Sequence, residues 1–329
     1  MRNGALVINV RVRMENYMRY LKDLREGDML SETYLCKTKQ ALQTKAGKNY
    51  YSLVMQDKTG TIDGKIWDLN PGIDHFEAMD YIRVDAQIVS FQNSLQMNIR
   101  RVHRCQEGEY DPREYMPCTK KDVKEMYQEL TCYIKSMKNE YLRTLAGNYF
   151  IENKGAAKVF VNHSAAKAVH HGFMGGLLEH TVSVTRLCDY IAKNYPVVNR
   201  DLLLTAAMFH DIGKVQELST FPENDYTDAG QLLGHIYIGA ELVSNLAAEI
   251  PGFPEKLKHE LMHCILAHHG ELEFGSPKKP ALVEALALSM ADNLDAKLET
   301  MTELFEGTEE KGWLGYQKLF ESNVRKTSV

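Results

Sequence analysis

"LLLTAAMFHDIGKVQEL", residues 202–218, is the stretch on which the fold turns: an apolar helical run ends in His210, Asp211 and, a turn later, Lys214. An unpaired charge in apolar surroundings costs about several kcal/mol. Three polar groups side by side therefore call for a counter-partner, and the candidates are a metal cation and an anionic substrate. The plain alternative is a helix end with a polar cap, since a His-Asp pair alone is a common accident.

The neighbouring sequence repeats the pattern. Ten of the twelve histidines fall between His163 and His269. Beside His170-His171, the candidates are His180 in "LLEHT", His210-Asp211, His235 in "LLGHIYIG", His268-His269 in "LAHHGELE" and Asp292 in "MADNLDAK", the last five each in an apolar helical context. One core histidine is ordinarily just hydrogen-bonded; five recurrences would each need a separate buried partner. Imidazoles and carboxylates without thiolates suit Mn, Fe, Co, Ni, Zn or Mg. Seven groups exceed what one ion takes. With Asp211 bridging two ions about 4 Å apart, the other six divide three and three, a centre suited to phosphate-ester hydrolysis. On a helix His210 and Asp211 point about 100° apart. Lys214, four residues after His210, lies one turn on along the same face, within reach of a phosphate oxygen.

Composition bounds the rest. The 329 residues, 44% hydrophobic and 25% charged, suffice for two domains and are not those of a disordered chain. No apolar run approaches the roughly 20 residues that span a bilayer, and "ALVINV" is too short for a secretory leader, so the expectation is a cytoplasmic protein with no membrane partner. The six cysteines, at 36, 105, 118, 132, 188 and 264, form no CxxC pair and read as reduced thiols. Net charge is −5, with residues 1–110 mildly basic (16 Lys+Arg, 14 Asp+Glu) and residues 111–329 acidic (23 against 30).

Upstream, from about Asp28 to Val102, the period falls to two. "MLSETYLCKTKQALQTK" (29–45), "YSLVMQD" (51–57), "TIDGKIW" (61–67), "YIRVDAQIV" (81–89) and "SLQMNIRRV" (94–102) read as strands, with a short turn over 57–60. Five strands in so short a span match a small Greek-key barrel of the OB type. Alternation puts Ile62, Gly64 and Ile66 on one face and Asp63, Lys65 and Trp67 on the other. An outward Trp67 beside Lys65 suits a stacked base and its phosphate; equally, Trp67 could pack beneath the loop 69–76. Tyr50, Arg83, Arg100 and Arg101 could extend the surface.

The expected organisation is an N-terminal extension (1–24), in which Met14 or Met18 could each be a start, an OB-like nucleic-acid-binding barrel (25–106), a linker with connecting helices (107–160), an all-α domain (161–305) and a C-terminal tail (306–329). The fold class is multidomain, a small all-β barrel followed by a helical domain.

The ordered set His, His-Asp, His, His-His, Asp with "HDIGK" resembles the HD-domain metal-dependent phosphohydrolases. Together with "QDKTGTIDGKIWD", "LLGHIYI", "AHHGELEFGSPKKP" and "DNLDAK", it resembles the YhaM family of 3′-to-5′ exoribonucleases over roughly residues 25–300. The resemblance implies that His180, His210, Asp211 and Asp292 hold one metal and Asp211, His235, His268 and His269 a second. Mn²⁺ comes first, with Co²⁺, Fe²⁺, Ni²⁺ and Mg²⁺ as the other candidates. The family's paired histidine matches His170 and His171, read as substrate or outer-shell residues with a helix cap as the alternative; Asp211 and Lys214 take the catalytic roles, and Lys278 of "GSPKKP" could meet RNA or be a solvated loop lysine. The expected partner is single-stranded RNA, with single-stranded DNA a further candidate; a homo-oligomer is left open. The competing expectations are a phosphohydrolase of mononucleotides or cyclic nucleotides with a regulatory barrel, and a single-strand-binding factor with an idle metal domain.

Overall fold

In a computed structural model, which describes residues 18–167, 172–308 and 312–328, the chain divides between Tyr115 and Met116 into two compact units. The first unit is a closed barrel of β1 (Met29–Gln43), β2 (Asn49–Asp57), β3 (Gly60–Ile66), β4 (Tyr81–Phe91) and β5 (Ser94–Arg104), in the order β1-β2-β3-β5-β4. Only β3 and β5 run parallel; the other pairs are antiparallel and β4 closes on β1. That is the OB arrangement. The 15-residue β1 serves both neighbours by changing register between Cys36 and Thr38, so that its first half pairs with β4 and its second with β2.

The period-two residues fill the barrel: Met55, Ile66, Ile82, Val84, Ile88 and Met97 are fully buried. Gly64 faces inward where an added Cβ would stand 3.1 Å from the Ile99 side chain. The turn between β2 and β3 is held by Asp57, whose Oδ1 accepts from the Thr59 N–H at 2.7 Å while Oδ2 accepts from the Leu21 N–H at 2.6 Å. Leu21 and Leu24 thus join the barrel core, so the end of the expected N-terminal extension is part of the barrel.

The second unit is helical: α1 (Val123–Ser136), α2 (Glu140–Gly147), α3 (Lys154–Asn162), α4 (Gly176–Asn194), α5 (Arg200–Phe209), the short α6 (Lys214–Glu217), α7 (Asp228–Ala248), α8 (Glu255–Leu266) and α9 (Val283–Glu306). The segment 107–160, expected as a connector, supplies α1, α2 and most of α3. Their Leu130, Leu142 and Phe160 share one core with Leu203, Phe209 and Leu261. These helices belong to the unit because an amphipathic stripe is stable only against a partner face. The expected tail carries a two-stranded hairpin, β6 (Trp313–Gln317) and β7 (Ser322–Arg325). Among the described residues no helix is long and apolar enough to cross a membrane, and the six cysteines are free.

Candidate functional site

The helical run that opened the sequence reading does not continue through "HDIGK". Helix α5 ends at Phe209, and His210 to Gly213 form tight turns in which Ile212 N–H donates to Phe209 O and Lys214 N–H to Asp211 O. Close packing accompanies the turns. A Cβ on Gly213 would lie 2.0 Å from the His235 carbonyl oxygen, so only glycine lets α7 approach here.

His235, His268 and His269 also stand at interruptions rather than within regular helix. His235 follows a break in α7 at Gly234 (φ 73°, ψ 155°), and Glu217 caps the renewed helix by accepting from the His235 N–H at 2.9 Å and from its Nδ1 at 3.0 Å. His268 and His269 come just after α8, before Gly270 at φ +80°. The apolar helical context expected of these residues is therefore corrected. Helix ends let adjacent side chains converge, where a continuous helix would splay them about 100° apart. His180 sits in the first turns of α4, and Asp292 lies on α9.

These elements bring His180, His210, Asp211, His235, His268, His269 and Asp292 to one place. Two groups of donor atoms form, His180/His210/Asp292 and His235/His268/His269, each with its donor atoms within 4.8 Å of one another. Asp211 lies between them. Its Oδ2 is 3.4 Å from both His180 Nε2 and His210 Nε2, and its Oδ1 is 3.5 Å from His235 Nε2 and 3.7 Å from His268 Nε2.

The donor chemistry fits divalent cations. Every one of the five imidazoles has Nδ1 at an acceptor: Asp295 for His180 (2.8 Å), the Ala207 carbonyl for His210 (2.8 Å), Glu217 for His235 (3.0 Å), the Ile265 carbonyl for His268 (2.7 Å) and the Phe274 carbonyl for His269 (2.7 Å). Each Nδ1 is thereby held on an outward acceptor and Nε2 is the ring atom turned to the centre, the arrangement of metal-binding histidines. His235 Nε2, His268 Nε2 and Asp211 Oδ1 are buried with no hydrogen-bond partner, a costly state for polar atoms that a cation would relieve.

The electrostatics favour positive charge as well. Burial works against a charged His180, yet Asp292 and Asp295 overcome it and push the imidazole up to about 10. Asp211 is held well below the usual carboxylate range: burial alone would raise it, but Lys214 and His210 outweigh that. Burial lowers His268 and His269, keeping them neutral and ready to coordinate. Lys214 Nζ is 2.7 Å from Asp211 Oδ2, and its side chain lines a cavity of about 400 Å³ together with His180, His268, His269 and Asp292.

Residues 177–297 match the HD domain family. The 3′-5′ exoribonuclease YhaM of Listeria innocua and that of Listeria monocytogenes are each 34% identical over 290 residues, spanning 88% of this chain and 91% of theirs. The chain belongs to the YhaM 3′-5′ exoribonuclease family. Among solved structures, the second OB-fold domain of replication protein A from Methanococcus maripaludis is 15% identical over 29% of this chain and 100% of that one, at a TM-score of 0.23, a likeness that bears no weight here.

In this YhaM-family chain the remaining expected residues fare unequally. Lys278 is exposed in its loop and does not line the cavity. His170 and His171 lie outside the described residues. On the barrel, the register that pairs Tyr51 with Ile66 sets Tyr50 opposite Trp67, and their rings stack at 4.7 Å and 27°. Trp67 is 42% exposed, so its neighbour is Tyr50 on the outer surface, and Lys65 beside them donates to Ser52 Oγ at 2.7 Å. Arg100 donates to Gln87, while Arg83 and Arg101 line a cavity with Asp74 and Asp85 that offsets their charge.

Sequence reasoning missed the residues that orient the donors. Asp295 takes the His180 Nδ1–H on one oxygen and the Ser183 hydroxyl on the other. It follows Asp292 by three residues, on the same face of α9, and that spacing was the available signal. Glu217 carried no comparable mark, because its role depends on the break at Gly234.

Proposed function

We propose that the protein is a metal-dependent 3′-to-5′ exoribonuclease that removes nucleoside 5′-monophosphates from single-stranded RNA, with single-stranded DNA as a second substrate. One observation carries this reading: Asp211 presents one oxygen to each of two donor groups, at the wall of a cavity large enough for a small ligand (~300–1,000 Å³). The names of the Listeria relatives supply the polymer and the direction.

His180, His210, Asp211 and Asp292 would hold one divalent ion, manganese before cobalt, iron, nickel or magnesium, and Asp211, His235, His268 and His269 a second. Bound there, the pair supplies Lewis-acid polarisation of the phosphodiester and offsets its developing charge. The protein's own groups do the rest. Asp295 and Glu217 hold two imidazoles in their tautomer and direction. Lys214, anchored on Asp211, binds a non-bridging phosphate oxygen. Water adds across the P–O3′ bond, leaving a 5′-phosphate on the released nucleotide and a 3′-hydroxyl on the shortened chain. The Tyr50–Trp67 stack and Lys65 would hold the strand.

The test uses purified protein, Mn²⁺ and 5′-end-labelled RNA. The expected result is a ladder shortening from the 3′ end with release of 5′-monophosphates. Turnover of free mononucleotides or cyclic nucleotides with intact RNA would overturn the assignment in favour of a small-molecule phosphohydrolase. A protein that binds RNA and turns over neither class would be a binding factor.

A further inference from the structure

Among the described residues, the cavity lined by His180, Asp211, His268, His269 and Asp292 has one phenyl wall. Phe274 lines it together with His268, His269 and Asp292, yet remains 68% exposed. Singly exposed apolar side chains are common and mean little by themselves. This one differs in how it is held. The Phe274 carbonyl accepts the Nδ1–H of His269 at 2.7 Å, and the turn Leu272–Phe274 is closed by Phe274 N–H to Glu271 O and Gly275 N–H to Leu272 O. The backbone that orients a candidate metal ligand therefore also sets the position of the phenyl ring.

Among the described residues the rest of the uncharged lining is small: Ala165, Ala166 and Ala296, with the polar Ser289 and Asn293. The cavity thus joins a cation-seeking cluster, a methyl-sized wall and one open aromatic face. A phosphate alone would use only the first of these. A nucleotide uses all three, because its base is a flat π surface that stacks on an aromatic side chain irrespective of sequence.

We infer that Phe274 is the stacking platform for the base of the 3′-terminal nucleotide, and that this contact positions the scissile phosphodiester over the histidine–aspartate cluster. The inference rests on the nuclease reading given above. It makes Phe274 a substrate-positioning residue whose stacking contact is open to a terminal base of any identity. It also separates Phe274 from Lys214, which meets the phosphate whatever nucleoside follows.

The experiment is a cycle between side chain and base. Wild type, Phe274→Ala, Phe274→Leu and Phe274→Tyr are assayed with Mn²⁺ on 5′-end-labelled RNA ending in adenosine, and on the same RNA with an abasic 3′-terminal ribose. Metal content of each protein is measured in parallel. On the adenosine end, Phe274→Ala should lose roughly five- to hundredfold in kcat/KM, the range for one stacked base, chiefly through KM. Phe274→Leu should recover little and Phe274→Tyr most of it. Wild type should lose a similar factor when the base is removed, and Phe274→Ala should then add almost nothing. Equal losses on both ends, a fall in metal content matching the loss of rate, or no loss in Phe274→Ala overturns the inference while leaving the nuclease reading standing. Wild-type protein that leaves both RNAs intact overturns that reading, and the inference with it.

Discussion

The two units solve opposite problems with the same kind of close packing. The barrel interior is almost wholly apolar, with Met55, Ile66, Ile82, Val84, Ile88 and Met97 fully enclosed and Asp57 buried at its rim to hold a turn. In the helical unit, His180, His210, Asp211 and His268 are between 0% and 4% exposed, beside a core of leucines and phenylalanines. Burying apolar surface stabilises wherever it occurs, at about 25 cal/mol per Å². Buried imidazoles and carboxylates do so only when partnered. The barrel interior is thus explained by folding alone, whereas the cluster keeps His235 Nε2, His268 Nε2 and Asp211 Oδ1 buried without a hydrogen-bond partner, a cost that a bound cation would relieve.

Predictions that test this contrast can be ranked by expected effect. The largest is Asp211→Ala, which removes the oxygens facing both donor groups. Hydrolysis should fall by roughly a thousandfold or more, since bound ions contribute several kcal/mol of charge stabilisation, and metal content should drop while circular dichroism stays native. A folded variant with full metal and full activity would refute the shared-carboxylate arrangement.

Next comes Gly213→Ala. Its Cβ would stand 2.0 Å from the His235 carbonyl and 2.7 Å from Gly239 N. Prising α6 from α7 should cost about 3 kcal/mol or more in urea unfolding, the upper part of the range for overpacking. An alanine variant within about 0.5 kcal/mol of wild type would mean that the approach is not tight.

Asp295→Asn should be milder. The His180 Nδ1–H keeps an acceptor of the same size but loses the charge behind it, and metal affinity or rate should weaken about 10–100-fold. Titration with Mn²⁺ against activity measures this; an unchanged half-saturation together with an unchanged maximal rate would remove Asp295 from the assembly.

On the barrel the effects shrink. Trp67→Ala should weaken single-strand binding by about 1 kcal/mol, the low end of the stacking range, because Tyr50 already covers one ring face. Fluorescence anisotropy with a labelled oligonucleotide reads this directly, and equal affinity would take the barrel's outer face out of strand binding. Smallest is Lys65→Ala, which should flatten the logarithmic salt dependence by about 0.7, one phosphate contact on a single strand. A slope identical to wild type would leave Lys65 as a partner of Ser52 alone.

How far each part could be read in advance follows from the range of the interactions. The strands of the barrel were legible because alternation such as Ile62, Gly64, Ile66 is set by neighbours two residues apart. The membership of the histidine–aspartate cluster was legible too, since burying so many ionisable groups without a shared partner is too costly to arise repeatedly. Misjudged was the local setting: His210, His235 and His268 looked like positions within helices, because apolar period says nothing of where a helix must stop. At two of these breaks tertiary contacts stand in place of helix, Gly213 against the His235 carbonyl and Glu217 on the broken turn at Gly234. Lys278 drew notice as a loop cation, but sequence held no measure of its distance from the cavity.

Residue type and spacing by themselves pointed to the barrel, the helical half and the seven side chains that the fold brings together, for these depend on hydrophobic period and on the chemistry of imidazole and carboxylate. Folding in three dimensions alone decided which oxygen of Asp211 faces which histidines, which groups hold each Nδ1, and that Phe274 stands at the cavity. Those contacts join residues up to 115 positions apart, as between His180 and Asp295. The packing of α4 against α9 sets this pair, and no local pattern encodes which residues it brings together.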